Sequence, residues 1–510
     1  MRNLNETAVL NYYLELVDKG EIKFLKDRAE FREAIIKAVE ALRDAEGMNN
    51  RINAAKDTWK LLFEASMSYI DPDKRGYDKL FKYFDEYVKF EELIFASDSF
   101  YRDHTLHSLW VYFLGEYIMK HEEFKDFLGD MFSFYHNYAH SKTMLESAKM
   151  DKVFGSLIKV YEDITKAYDL EDSARCVSAI THDLGYPIKK IEKINKCIKE
   201  VLPYFSINNY DEFNFSYSEI QQNFISSFIE FLSFNITANS EDLGEDNDVL
   251  LKVLELDESG KFTGINKDEL LKLKDDEIVK LKKILNLKPR IEKNISRHWA
   301  YSKDFEDYKH GIMSAFLLIK NISAFQNLKF KYNDNMNVDF KDIDFKDIMV
   351  KQGILKNITN HTNDNFKLVK MGDSSDFLTF IDELEEFSRI SRANQNREYI
   401  TEFCTTDIYM DKDWFNVDFV FENDNIVNLD PQRAFKGRCE RFLNLFDIVR
   451  LSSKLKIRLR CIGKLPCDSN IYTLEIAHKY AKILINGEEK NIPQYLNSKQ
   501  LYTREEYARM

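Results

Sequence analysis

The chain is poor in the residues that punctuate compact turns. It has 7 prolines and 16 glycines in 510 residues, which argues against a many-turned sandwich or barrel and for long helices. Its six cysteines (Cys176, Cys197, Cys404, Cys439, Cys461 and Cys467) are scattered, with no Cys-x-x-Cys pair. That excludes a structural zinc knuckle and a disulfide framework, and fits a reducing cytosol. No run of 18 apolar residues occurs, so no membrane span is expected. The start, Met1-Arg2-Asn3-Leu4-Asn5-Glu6-Thr7, soon meets charge and does not read as a signal peptide. Also missing are a Gly-x-x-x-x-Gly-Lys phosphate loop, a Gly-x-Gly-x-x-Gly turn and a Gly-x-Ser-x-Gly elbow. A formal net charge of −13 disfavours broad non-specific nucleic-acid binding, which needs a basic face to displace counterions. A cytoplasmic, helical protein is the expectation.

What is present is apolar bulk, at 44% hydrophobic residues, enough for large cores in two to four domains. Residues 1–95 show helical spacing of apolar residues, as in Phe31–Leu42, and hold no cluster of ligand or nucleophile type. They read as a helical N-terminal region that supports the rest or docks a partner. Residues 96–400 form the next unit, helical again, with a charged stretch at 239–293 that reads as an insertion or lid. Its Asp257-Glu258-Ser259-Gly260 run lacks the spacing of a calcium loop. From 401 to 510 the period shortens. Phe415–Phe421 and Leu455–Ile462 alternate as strands do, with Tyr472–Ile476 a weaker candidate, so a small α+β C-terminal domain is predicted. The predicted class is mainly α.

The informative stretch is Cys176–Pro187, where His182 and Asp183 sit side by side at the end of an apolar run that stops at Gly185-Tyr186-Pro187. On a helix, Val177, Ile180 and Leu184 share a side, and Asp183 falls inside that apolar arc with His182 at its edge. A carboxylate facing a core costs several kcal/mol unless a cation meets it. The adjacent imidazole makes a metal the natural partner. Other histidines recur at helical spacing. His104 and His107 share a face, and so do His136 and His140, which read as surface residues. His310 opens an apolar helix, His361 ends another, and Asp382 sits at the edge of a face made by Phe377, Phe380, Ile381, Leu384 and Phe387.

Four imidazoles and two carboxylates thus lie on separate, mostly helical segments: His107 in His107-Ser108-x-x-Val111, His182-Asp183-Leu184-Gly185-Tyr186-Pro187, His310-Gly311-Ile312-x-Ser314-Ala315, His361, and Asp382 in Ile381-Asp382-Glu383-Leu384. Their order resembles the HD superfamily of metal-dependent phosphohydrolases, over roughly residues 98–395. The resemblance implies an all-helical HD-type core, with His107, His182, Asp183, His310, His361 and Asp382 as metal ligands and His298 as the substitute should His361 fail. It also implies hydrolysis of a phosphate mono- or diester, commonly of a nucleotide. Ligand chemistry points the same way. Mixed nitrogen and oxygen donors suit Mn, Fe, Co, Ni or Zn, and six exceed what one ion with an open position needs. Two divalent ions sharing Asp183 would activate a water for in-line attack. Arg102, Lys189 and Lys190 are candidates for holding substrate phosphates, the two lysines also for catalysis, and His104 for protonating the leaving oxygen; a solvated face is the plainer reading of each lysine.

Other classes stay open at this level. HD-type di-iron oxygenases share the ligand set. A ligand-sensing regulatory protein or a nuclease built on the same core would need an unoccupied ligand position or an open groove, respectively. The one basic segment, residues 433–460, is a candidate contact for a nucleotide or nucleic acid, or merely balances the acidic remainder.

Overall fold

A computed structural model of the chain describes residues 4–73, 76–95, 100–129, 131, 135–136, 139, 142–143, 151–207, 209–213, 216–239, 267–278, 288–326, 345–391, 404–423 and 430–490. It is mostly helical, with a small six-stranded C-terminal mixed sheet. The helices of ten residues or more are α1 (Glu6–Asp18), α2 (Ala29–Arg43), α3 (Met48–Ile70), α4 (Asp78–Phe95), α5 (His104–Lys120), α6 (Asp151–Asp169), α7 (Glu171–Thr181), α8 (Tyr186–Val201), α9 (Glu219–Ser233), α10 (Ile295–Glu306), α11 (His310–Asn321), α12 (Phe345–Asn360), α13 (Ser374–Leu384) and α14 (Pro431–Leu445).

Two helices are buried nearly all round, and they fix the centre. In α5 every residue from His104 to Glu116 is buried, and in α7 every residue is. A helix with no solvent-facing side belongs inside a bundle, and the charges α7 takes there are met internally, Arg175 by Glu116 and Asp172. α5 lies against α7, α13, α3 and α1, while α12 lies against α7, α11 and α13. The α5 start is set by Asp103, whose side chain accepts the Thr105 and Leu106 N–H groups at 3.0 and 3.1 Å, satisfying donors with no partner inside the helix. The N-terminal helices share this apolar core. Trp59 of α3 stacks on Phe63 and Phe84 and donates its indole N–H to the Ile180 carbonyl.

Two short antiparallel ladders brace the bundle. β1 (Phe100–Arg102) pairs with β4 (Arg389–Ser391), so the two limits of the 96–400 unit meet. β2 (Phe234–Asn239) pairs with β3 (Lys288–Lys293), bringing together the two ends of the charged stretch. Residues 240–266 and 279–287 lie outside the described residues, as does His140.

The C-terminal sheet runs β10-β9-β8-β7-β6-β5, where β5 is Thr405–Asp411, β6 Trp414–Phe421, β7 Ile457–Gly463, β8 Ile471–Ala477, β9 Tyr480–Ile485 and β10 Glu488–Lys490. All pairs are antiparallel except β6–β7, which α14 connects and which is therefore parallel. Phe415 of β6 packs on Phe124, Phe127 and Phe380, seating the sheet on the helical core. The predicted strands at 415–421, 455–462 and 472–476 are present with ends shifted by one to two residues; β5, β9 and β10 were not foreseen. In the basic 433–460 segment, Arg438, Arg441, Arg450, Lys456, Arg458 and Arg460 each lie against a carboxylate: Glu386 for the first two, then Asp447, Asp413, Glu475 and Asp418.

Candidate metal centre

The turn after α7 is held from three sides. Trp59 takes the Ile180 carbonyl, the Tyr83 hydroxyl donates to the Leu184 carbonyl at 2.5 Å, and Ser314 of α11 bridges, donating to the His182 carbonyl at 2.6 Å while accepting from the Gly185 N–H at 2.7 Å. Gly185 is required by proximity: a Cβ there would lie 2.3 Å from the His310 carbonyl oxygen. Gly311 does the same for the next contact, since its Cβ would lie 2.5 Å from the Ile358 oxygen. These two close approaches bring the starts of α11 and the end of α12 up to the His182-Asp183 turn.

The six residues predicted as ligands converge here. On one side His107 Nε2 lies 2.9 Å from Asp382 Oδ1, 3.7 Å from Asp183 Oδ2 and 3.3 Å from His182 Nε2. His182 Nε2 lies 3.5 Å from Asp183 Oδ2 and 3.8 Å from Asp382 Oδ1. On the other side, the second Asp183 oxygen lies 3.2 Å from His310 Nε2 and 3.5 Å from His361 Nε2, with 3.2 Å between the two nitrogens. Asp183 therefore faces a four-donor pocket with one oxygen and a three-donor pocket with the other. The first is the more enclosed, its two imidazoles wholly buried and Asp382 14% exposed, whereas the His310 ring is 24% exposed. The three-donor side is the one that opens outward.

The donor directions show that a cation fits. His182 Nδ1 and His361 Nδ1 sit 2.6 and 2.5 Å from the carbonyl oxygens of Ala179 and Ile358, which can only accept. Each Nδ1 must therefore carry a proton, and in a neutral ring Nε2 then presents its lone pair inward. His107 Nδ1 likewise meets Glu385 at 2.5 Å. Lone pairs and carboxylate oxygens thus point at one another across 3–4 Å, which is repulsive unless protons or metal ions lie between. Ions with ligands at about 2.1 Å space adjacent donors by about 3.0 Å in an octahedron and about 3.4 Å in a tetrahedron, close to the separations found. Several triads of these residues have their donor atoms within 4.8 Å of one another.

Electrostatics agree. Burial alone would lower the His182 pKa, but Asp183 and Asp382 raise it to about 9. Burial would raise that of Asp183, yet His182, His310 and His361 hold it well below the usual carboxylate range. His310 is lowered to about 4 by burial, which the neighbouring Asp183 only partly offsets.

Around the open side stand His104, Tyr186 and Lys190. His104 Nδ1 lies 2.7 Å from Glu91, both buried, and its ring is 4.1 Å from that of Tyr186, which in turn is 4.7 Å from His310. The Lys190 ammonium lies 4.8 Å from the centre of the Tyr186 ring. Lys189 is turned to the Asp307 carbonyl at 3.3 Å. Arg102 lies on β1, opposite Arg389. His298 contacts Ser233 and stays outside the cluster, and His136 is exposed beside Tyr168. Sequence reasoning missed Glu385, Glu91, Ser314 and Tyr186. Glu385 carried a signal, standing three residues after Asp382 on a face otherwise apolar.

Compared with family models, with characterised proteins and with solved structures, the chain matches none. Among the described residues, no helix is long and apolar enough to cross a membrane.

Proposed function

We propose that the protein is an HD-type metal-dependent phosphohydrolase acting on a phosphate ester, with a nucleotide mono- or diester as the favoured substrate class. The observation that carries this reading is the position of Asp183, one carboxylate offering an oxygen to each of two imidazole pockets. His107, His182, Asp183 and Asp382 would hold one divalent ion, and Asp183, His310 and His361 a second with coordination positions left over. Bound there, such a pair supplies Lewis acidity and a water acidic enough to attack at neutral pH.

The chain's own residues do the rest. Glu385, Ala179 and Ile358 hold three imidazoles in the tautomer that offers Nε2. Tyr186 forms a wall beside His310 against which a substrate would lie, and Lys190 across that ring would meet a non-reacting phosphate. Glu91 orients His104 at the same wall, so His104 is the group to carry a proton to the leaving oxygen.

The test is metal analysis of protein purified without chelator, joined to a screen of phosphate esters and nucleotides. About two ions per chain and metal-dependent phosphate release support the reading. Two irons with no hydrolysis would replace it with the oxygenase, and a chain that takes up no metal would sink both.

A further inference from the structure

A cavity of about 460 Å³ lies against the starts of α7 and α13 and along α12 as far as Asn360, the residue before His361. Glu171 and Ala174 of α7 and residues Gly372–Asp376 at the start of α13 line it. From Ala174 to His182 the α-helical rise amounts to about 12 Å, and none of the six clustered residues reaches the cavity wall.

Two of its cations, Arg297 and Lys356, meet at one neutral atom, across the cavity from the carboxylates of Glu171, Asp373 and Asp376. Arg297 donates to Asn235 Oδ1 at 2.9 Å, and the Lys356 ammonium donates to the same oxygen at 3.1 Å and to the Phe234 carbonyl. Both positive groups therefore rest on neutral oxygens, and among the described residues neither has a carboxylate at ion-pair distance. Lys370, also on the lining, stands by Gly372 and Asp376, whose carboxyl its charge acts to lower. Two like charges meeting at one neutral atom in a half-buried place repel each other and lose hydration, a cost that a bound anion removes. The effect registers at Lys356, whose pKa falls to about 7 through burial and then the Arg297 charge, with Asp373 partly opposing them. The acids across the cavity have hydrogen-bond partners of their own, and burial with the Asp373 charge pushes the Asp376 carboxyl up to about 7. Asp373 accepts the Ser375 and Asp376 N–H groups, Asp376 accepts that of Gly372, and Glu171 accepts the Ser374 hydroxyl.

The helix lining the cavity carries a second sign. Gly353 lies within α12, where glycine is a poor helix former, yet a Cβ built on it would meet nothing within 4 Å. No packing neighbour demands a glycine there. Its effect is to leave the cavity wide at that wall.

The geometry points to a binding site for a small phosphate-bearing molecule of nucleoside monophosphate size, its phosphate between Arg297 and Lys356 and its polar remainder toward the Gly372–Asp376 turn. A phosphate is favoured over a carboxylate because Arg297 and Lys356 converge on one point and a dianion matches the pair better than a monoanion does. The site is independent of the metal centre, so it stands or falls apart from the hydrolase reading.

Equilibrium dialysis of the full chain against labelled AMP, inorganic phosphate and adenosine tests it, in the otherwise unaltered protein and in Asp183→Asn. AMP should bind in both, with adenosine at least tenfold weaker. Arg297→Gln and Lys356→Gln should each weaken AMP at least tenfold. Gly353→Trp should abolish binding while keeping the parent melting temperature, since open space receives the new side chain. The proposal is overturned if neither AMP nor phosphate binds at millimolar concentration, or if Arg297→Gln binds AMP as tightly as the parent.

Discussion

Glu385 shows how one side chain outside the six-residue cluster can set the donors of the candidate metal centre. It is wholly buried, receives the Ser388 N–H and hydroxyl, and holds the His107 Nδ1 proton. Replacing such an outer partner weakens metal affinity by about 10- to 100-fold. Glu385→Gln should therefore bind metal that much more weakly and keep its fold, as titration with a metal chromophore and circular dichroism would show; unchanged affinity would remove Glu385 from the account. His182 makes a second prediction. In the metal-free chain it is raised to about 9, so it holds a proton at neutral pH that an incoming ion must displace. Metal affinity should accordingly fall about tenfold per pH unit below 9, and calorimetry in buffers of different ionisation enthalpy should record proton release at pH 7.5. The linkage also has a sign for folding. A histidine raised from about 6.5 to about 9 adds stability to the metal-free protein below the lower value, and that contribution is lost as pH rises through the upper one.

At the scale of elements, the centre depends on how closely α11 and α12 approach the His182-Asp183 turn. Gly185→Ala would place a Cβ 2.3 Å from the His310 carbonyl oxygen and 2.6 Å from Met313 Cβ and the Ser314 nitrogen. Since the obstacles are mostly backbone, α11 must shift, at a cost of about 1–3 kcal/mol. The measurable outcome is a lower melting temperature together with loss of one ion of two, that of the His310–His361 side. Loss of both ions equally, or of neither, would contradict the assignment of α11 to the open pocket. This level was the least legible in the sequence. His182-Asp183 announced itself because an acid amid apolar neighbours needs a cation, and that reasoning uses only neighbours along the chain. The helix itself stops at Thr181, and the pair lies in the turn after it. The Glu91–His104 pair, the Ser314 bridge and the Tyr186 wall depend on which helix lies beside which, so periodicity is blind to them. α14 was hidden for a related reason. Its charges, among them Arg438 and Arg441, read as a basic patch, and only the tertiary structure supplies the carboxylates they meet.

For the whole molecule, Glu386 is the joint between core and sheet. It takes Arg438 at 3.2 Å and Arg441 at 2.6 Å, both from α14, and lies four residues beyond Asp382. Removing one partner of a buried ion pair leaves the other charge uncompensated, typically at about 3–5 kcal/mol. Glu386→Ala should lower denaturant stability by that order and weaken metal binding through Asp382. A loss of stability with metal affinity intact would show that the C-terminal sheet is fixed to the core without bearing on the centre. Fold class was legible at this scale, because scarce glycine and proline, helical periodicity and a late change of period are properties of the chain itself. The sharing of one apolar core by the N-terminal helices and the central bundle was not, since Trp59 and Ile180 are 121 residues apart.

The inequality of the two pockets has a consequence in time. An ion held by His107, His182, Asp183 and Asp382 would sit between two wholly buried rings and exchange slowly, whereas one held by Asp183, His310 and His361 would lie beside the exposed His310 ring and exchange faster. Protein from different growth media would then carry the same enclosed ion and a different outer one. The identity of the outer metal would record recent supply, and that of the inner one the conditions under which the chain first folded.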